Sequence, residues 1–385
     1  MVNAECPAVR GRRRASTPRK RIVVRVLFGA LVGVSLVGGV AGGLWRVGAA
    51  VPDPLSFAWT AQVLLVHAAL MICGFLGTVI GIERAVAVKH RAAFLAPLAS
   101  GSGALCLVLG QQAAGAWLGV AAAASFLAVN AVVVRRQCAA HTLLLLVGAA
   151  AWVTGNVLFA LGHGGNAVFP WWFTFLVMTI AAERLEMTRL MRRRPSASVT
   201  LHAVLSLLLA GAASSGVAPR AGGLVYGTAL VLLAAWLVTF DVARRTVFAH
   251  GISRYMAVCL LGGYAWLGVA GVAWATTALG WATRDAALHA LGLGFVVSMM
   301  MGHAPVVLPA IARVKLQFGA FFYAPLAALH LSLLIRLVLG PFSEPLRATG
   351  ASFNAATIGF FAATVAGAAV AWRHHHGAAD TRKTR

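Results

Sequence analysis

Long apolar segments, separated by short polar turns, dominate the pattern of hydrophobic and polar positions along the chain. Each has roughly the length that a helix needs to cross the hydrocarbon layer of a bilayer. Lipid offers no hydrogen-bond partner to an open backbone, and the segments lack the short alternation of a β-barrel, so each is predicted to be a helix. The segments run approximately over 26–44, 57–82, 93–109, 114–134, 142–161, 168–185, 199–214, 223–241, 256–279, 286–311, 318–339 and 352–372. The sequence therefore predicts an all-α polytopic membrane bundle of about 12 transmembrane helices.

One membrane domain accounts for most of the chain, because no soluble domain or long linker interrupts the apolar segments. We assign residues 26–372 to a single membrane domain, residues 1–25 to a disordered basic cytoplasmic tail and residues 373–385 to a second cytoplasmic tail. The first apolar run is too long for a signal peptide, so it is predicted to remain as the first span. The composition agrees, since 60% of the residues are hydrophobic.

The positions of the basic residues predict the orientation. With the N-terminus inside, 27 of the 32 Lys and Arg residues lie in the tails and inner turns, and Arg336 lies within a span. Four lie in outer turns: Arg46, Arg220, Arg284 and Arg347. The positive-inside rule therefore places both termini in the cytoplasm, and we expect the protein in the bacterial inner (cell) membrane.

The net charge of +23 follows mainly from this bias. Basic clusters on the cytoplasmic side, such as residues 192–194, are expected to contact anionic lipid headgroups, so the lipid bilayer is the expected partner. Nucleic acid is not an expected partner, because its binding needs a basic patch on a folded soluble face.

Four histidines lie inside the predicted spans: His67 in the second, His289 and His303 in the tenth, and His330 in the eleventh. An imidazole in hydrocarbon must be hydrogen-bonded or bound to a metal. His289 and His303 lie about 21 Å apart along one helix, so they cannot bind one ion together. A shared site would need histidines from two facing helices, as in bis-imidazole haem ligation. The alternative is that each ring hydrogen-bonds a neighbouring helix.

Two of these histidines stand in motifs that resemble the NnrS family of twelve-span membrane proteins. Residues 67–75 read HAALMICGF, similar to the H-A-x-x-M-x-x-G-F signature of that family. Residues 288–294 read LHALGLG, similar to its H-A-L-T-x-G segment, and a Gly-His pair follows at 302–303. The resemblance implies haem and copper, a link to nitric oxide stress and denitrification, and a distant likeness to the catalytic subunit of haem–copper oxidases.

The departures from these motifs limit the chemistry that the resemblance implies. Ala69 and Leu70 stand where the signature has a second His and a Glu. The sixth span, which supplies a copper histidine and a tyrosine in the oxidases, has only Trp171, Trp172 and Phe173. Three copper ligands cannot be assembled, so haem without oxygen or nitric oxide reduction at a binuclear site is the expectation, and no catalytic residue is proposed.

The resulting hypothesis places haem iron between His67 and His289 in the outer half of the bundle, with His330 as the substitute for either. Depth is its main requirement, because His289 lies near the outer end of its span. The tenth span must therefore begin well before Ala286 or tilt, and otherwise His330 matches the depth of His67 better. Copper would have to use His67, His289 and His303, which do not make a full ligand set.

Arg336 is a further candidate cofactor-binding residue, because a charge within a span needs an anion such as a haem carboxylate. No acidic side chain of an adjoining span stands out as its partner. The alternatives are that Arg336 reaches the outer headgroups or meets Glu344 in the next loop.

Two other classes of protein fit the same topology. A secondary transporter would use Pro305 and Pro309, which are expected to kink the tenth span near Met301 to Pro305. A ligand-free assembly protein would need no site at all. The transporter lacks an acidic ion site in the membrane interior, because the acidic residues near the spans lie at their cytoplasmic ends: Glu83, Glu183, Glu186 and Asp241.

The orientation can be tested with topology reporters fused at Gly164 and at Arg193. The first is expected to report the outside and the second the cytoplasm, because the two turns flank one span and differ in positive charge. A cytoplasmic signal at Gly164 would overturn the count of spans.

Overall fold

Twelve helices long and apolar enough to cross a membrane form the part of the chain described by a computed structural model, which covers residues 18–49, 57–187, 195–312 and 314–383. This confirms the predicted all-α membrane bundle. The spans are α1 Val23–Arg46, α2 Ala61–Val88, α3 Arg91–Val108, α4 Gln112–Arg136, α5 Ala140–Ala160, α6 Gly165–Met187, α7 Ser196–Ser214, α8 Pro219–Phe240, α9 Gly251–Ala278, α10 Arg284–Ile311, α11 Ala320–Phe342 and α12 Glu344–His374.

The two predicted tails fall at the ends of this bundle. Residues 1–17 of the N-terminal tail lie outside the described residues, and the first helix begins at Pro18. The last helix continues to Lys383, through most of the segment assigned to the C-terminal tail. Cytoplasmic placement of both termini remains a prediction from the positive charges.

Close helix packing depends on glycines that face a neighbouring backbone. A Cβ atom at Gly227 of α8 would lie 2.6 Å from the carbonyl oxygen of Gly271 on α9, and the reverse distance is also 2.6 Å. At Gly42 of α1, a Cβ atom would lie 2.3 Å from the carbonyl oxygen of Val63 on α2. Small residues are the usual means by which membrane helices approach closely, because apolar burial does not drive association in lipid.

The predicted cytoplasmic ends of the helices are joined by a buried ion pair. Arg184 of α6 donates through Nε and Nη2 to the two carboxylate oxygens of Asp241, each at 2.9 Å, and the two side chains are 4% and 3% exposed. Asp241 follows the last residue of α8, so the pair links two helix ends. Each of the two buried charges thus has the opposite charge beside it, without which its burial would be costly.

Three membrane helices contain π-helical segments: Leu70–Leu76 in α2, Ala290–Val297 in α10 and Ile335–Leu339 in α11. π-helical turns are rare and are found frequently at functional sites. The segment in α10 precedes the prolines, and regular α-helix continues over Ser298–Ala312 through both of them. The irregular part of α10 therefore begins directly after His289.

The contact between α8 and α9 can be tested with Gly227→Ala. The added methyl group has no space against the Gly271 carbonyl, so we expect a loss of about 1–3 kcal/mol in unfolding free energy. Gly359→Ala on α12 is the matched control, because nothing lies within 4 Å of its Cβ position. Unfolding in mixed micelles measures both, and equal stabilities would contradict the packing.

Candidate functional site

His67 is held on α2 by the backbone of α1. Its Nδ1 lies 2.6 Å from the carbonyl oxygen of Gly39, and its Cε1 would lie 2.7 Å from a Cβ atom at Gly43, so the ring packs directly on the α1 backbone. A carbonyl oxygen can only accept, so Nδ1 carries the proton and donates it. In the neutral ring Nε2 therefore keeps its lone pair, as a metal ligand requires.

His289 is held in the same tautomer by the first turn of its own helix. Its Nδ1 lies 3.0 Å from the main-chain oxygen of Asp285 and 3.0 Å from the carboxylate Oδ1 of the same residue. Both oxygens are acceptors, so Nδ1 again donates and Nε2 is left with a lone pair. Bonding of one ring nitrogen to a carbonyl or carboxylate is the usual outer-shell arrangement of metal-binding histidines.

The two rings that the sequence paired lie next to each other. The ring centroids of His67 and His289 are 6.3 Å apart, and the ring planes are inclined by 23°. The tenth span, α10, begins at Arg284, two residues before Ala286. The described residues give no hydrogen-bond partner to the Nε2 atom of either ring.

Both histidines line a cavity of about 620 Å³ that opens among α1, α2, α6, α10, α11 and α12. The inner part of its wall is apolar and includes Phe75, Leu176 and Val297. The part nearest the predicted outer face, called the outer end below, carries the basic side chains Arg46, Arg284, Arg336 and Arg347. The cavity is thus apolar at one end and cationic at the other, and the π-helical segments in α2, α10 and α11 all contribute residues to it.

Arg336 lies at the outer end of this cavity and is paired with Asp285. Its Nε donates to Oδ2 at 3.0 Å and its Nη2 to Oδ1 at 2.8 Å. The Arg336 side chain is 7% exposed and that of Asp285 is 36% exposed. Glu344, the partner considered from the sequence, instead contacts Arg347 at 3.3 Å.

Asp285 is the site residue that the sequence analysis missed. One local signal was present, because Asp285 stands four residues before His289 and so lies on the same side of a helix. Its second contact joins α10 to α11 across 51 positions of the chain, and no local pattern reports such a pair.

The other two intramembrane histidines lie outside the described cavity lining. Nδ1 of His330 accepts a hydrogen bond from the indole nitrogen of Trp266 at 2.8 Å, so the neutral ring carries its proton on Nε2. That tautomer has no free lone pair for a metal. His303 bonds the carbonyl oxygen of Met299 through Nδ1, and its Nε2 is buried without a hydrogen-bond partner in the described chain.

Trp172 forms a wall of the cavity at a fixed position. Its indole nitrogen donates to Oδ1 of Asn156 at 2.9 Å, and the amide nitrogen of Asn156 donates to the carbonyl oxygen of Gly119 at 2.8 Å. Asn156 also accepts from the thiol of Cys73 at 3.2 Å. The aromatic side chains Phe169, Trp172 and Phe173 of α6 therefore shape the cavity and offer no metal donor.

Besides the two imidazoles, the cavity lining includes the possible donors His163, Met71 and Asp285, of which Asp285 is paired with Arg336. Over residues 18–49, 57–187, 195–312 and 314–383, no group of three or more His, Cys, Asp or Glu side chains is close enough to hold a metal ion. A copper ion would need more ligands than His67 and His289 supply. Two imidazoles would be enough for a metal whose remaining ligands came from a macrocycle.

The fold and this cavity define a polytopic integral membrane protein with a histidine-lined chamber near one face. The chain belongs to the family described as a domain of unknown function, DUF8744, whose model matches residues 25–370. Comparison with curated proteins gave no match. Comparison with solved structures gave no match either.

The pairing of Arg336 with Asp285 can be tested by a double-mutant cycle. Asp285→Ala leaves a buried guanidinium without its anion, so we expect a loss of about 2–3 kcal/mol in unfolding free energy, and Arg336→Leu in the same chain should recover most of it. Glu344→Ala is the control, because it removes an exposed carboxylate from Arg347 and should cost less than about 1 kcal/mol. Additive losses at positions 285 and 336 would show that the two side chains are not coupled.

Proposed function

We propose that this integral membrane protein binds haem between His67 and His289 and uses it to carry electrons. The observation that supports the proposal best is the placement of two imidazoles of one tautomer, with centroids 6.3 Å apart, on the wall of a cavity of about 620 Å³. Cofactor pockets commonly have volumes of about 300–1,000 Å³.

The distance between the rings fits ligation of one iron. An imidazole nitrogen binds a metal at about 2.0 Å, and the ring centre lies about 1 Å behind that nitrogen. Two imidazoles on opposite faces of one haem iron therefore have centroids about 6 Å apart. The fixed Nδ1 donors would prevent either ring from turning its other nitrogen to the iron.

The charge distribution fits the shape of haem, which has an apolar macrocycle and two carboxylates at one edge. The apolar wall would hold the macrocycle. Arg336, Arg284 and Arg347 at the outer end would hold the carboxylates, because guanidinium groups bind carboxylates in a bidentate manner. The buried Nε of Arg347 has no hydrogen-bond partner among the described residues, so this side chain can still donate a hydrogen bond to an anion.

The ligand geometry favours electron transfer over reduction of a bound gas. With His67 and His289 both holding it, haem would supply a one-electron couple and would leave no place for a substrate at the iron. A role in respiratory or nitric-oxide-linked redox metabolism rests on the resemblance of residues 67–75 and 288–294 to the NnrS signatures. The wall of Phe75, Trp172 and Val297 would keep water from the metal.

The test is the optical spectrum and haem content of the detergent-purified protein and four variants. The wild type is expected to show a Soret band with low-spin features, and His67→Ala and His289→Ala should each lose most of the haem. His330→Ala and His303→Ala are matched controls and should keep it, because neither ring lines the cavity.

A secondary transporter or an assembly protein predicts no Soret band in any of these preparations. Retention of haem with an unchanged spectrum in both His67→Ala and His289→Ala would rule out the assigned ligands. Loss of haem in His330→Ala alone would favour His330 as a ligand.

A further inference from the structure

We propose that Asp285 is a positioning residue that lowers the reduction potential of the iron through the contact of its carboxylate with Nδ1 of His289. The inference rests on the proposed haem function. It gives Asp285, which is not itself an iron ligand, an effect on the reduction potential. Asp285 would make His289 a stronger ligand than His67 and thereby favour the ferric state.

The geometry that supports this role is a chain of charge-assisted contacts. Oδ1 of Asp285 lies 3.0 Å from Nδ1 of His289 and accepts from Nη2 of Arg336 at 2.8 Å. Oδ2 accepts from Nε of Arg336 at 3.0 Å. A bidentate pair with a guanidinium fixes the plane of a carboxylate, so Asp285 is held with one oxygen on the imidazole.

The two proposed ligands differ in their outer contacts. His67 donates to the neutral carbonyl of Gly39, whereas His289 lies against a carboxylate. A carboxylate acceptor draws the Nδ1 proton more strongly and raises the basicity of the ring. The more basic ligand stabilises the more positively charged ferric iron, so the potential falls.

Asp285 is also the single carboxylate among the described residues that line the cavity. The other charged side chains of that lining are Arg46, Arg284, Arg336 and Arg347. Cations near the iron disfavour its ferric form, and the nearest anion opposes them. The effect of removing Asp285 on the potential should therefore be large relative to that of a carboxylate outside the cavity.

The main-chain oxygen of Asp285 orients the His289 ring, whereas the carboxylate of Asp285 carries the negative charge. Nδ1 of His289 lies 3.0 Å from the main-chain oxygen of Asp285 as well as from Oδ1. The main-chain oxygen is still present in Asp285→Asn, so the ring keeps its direction and the iron keeps its ligand. The substitution removes the charge of the second acceptor and also replaces one of the two oxygens that accept from Arg336.

The experiment is a redox titration of the haem-loaded protein, followed by its Soret and visible bands. Asp285→Asn is expected to shift the ferric–ferrous equilibrium at least tenfold toward the ferrous form, which is about 59 mV for a one-electron couple. Asp285→Glu should move back toward the wild type because it restores the carboxylate. Glu344→Gln is the matched control, since it removes one negative charge from the outer end without contact to a histidine, and its shift should be much smaller.

A second measurement needs no haem and therefore still applies if a variant loses it. In haem-free protein with ¹⁵N-labelled histidine, the Nδ1 resonance of His289 should move in Asp285→Asn and stay in place in Glu344→Gln. Equal potentials in Asp285→Asn and Glu344→Gln, or an unmoved resonance, would overturn the role of Asp285. Absence of haem in the wild type would instead overturn the proposed function, while the resonance still reports the hydrogen bond.

Discussion

Hydrocarbon offers no hydrogen-bond partner, so the protein itself must supply the partners of the backbone and of most polar side chains within the spans. The contacts of His67 show how this constraint is met. Close packing of α1 on α2 at Gly42 and Gly43 brings the carbonyl of Gly39 within 2.6 Å of the imidazole. The glycines that allow helix contact thus also set the tautomer of the ring. The close approach of α1 to α2 therefore determines the helix packing and the hydrogen bond of His67. It also leaves Nε2 of His67 available as a ligand atom.

The same constraint governs the charges at the outer end of the cavity. Arg336 is almost fully buried, and a charge in that position costs several kcal/mol unless an anion lies beside it. Asp285 supplies the anion and contacts His289 with one of the same oxygens. The buried charge of Arg336 therefore requires a carboxylate next to a proposed ligand. Under our proposal, that carboxylate also raises the basicity of the His289 ring.

Much of the fold could be predicted from the sequence, because hydropathy reports directly on the cost of placing each side chain in lipid. All twelve spans required no more than shifts of their ends, and α10 begins at Arg284, two residues before its predicted start. Pairing of the His67 and His289 rings was predicted because only different helices could share a site. The direction in which each histidine points was harder to predict. His330 points toward Trp266 on α9, 64 positions away in the chain, and the sequence of its own span does not indicate this contact. The π-helical segments carry no recognised sequence signal, and they alter which residues of α2 and α10 face the cavity.

Pulsed electron paramagnetic resonance of the ferric protein, prepared with ¹⁵N-labelled histidine, tests the ligation most directly. The spectrum of a low-spin iron should show hyperfine coupling to two histidine nitrogens of similar strength, one from His67 and one from His289. Coupling to one histidine nitrogen, or a high-spin iron with an open axial position, would contradict a haem held between the two helices.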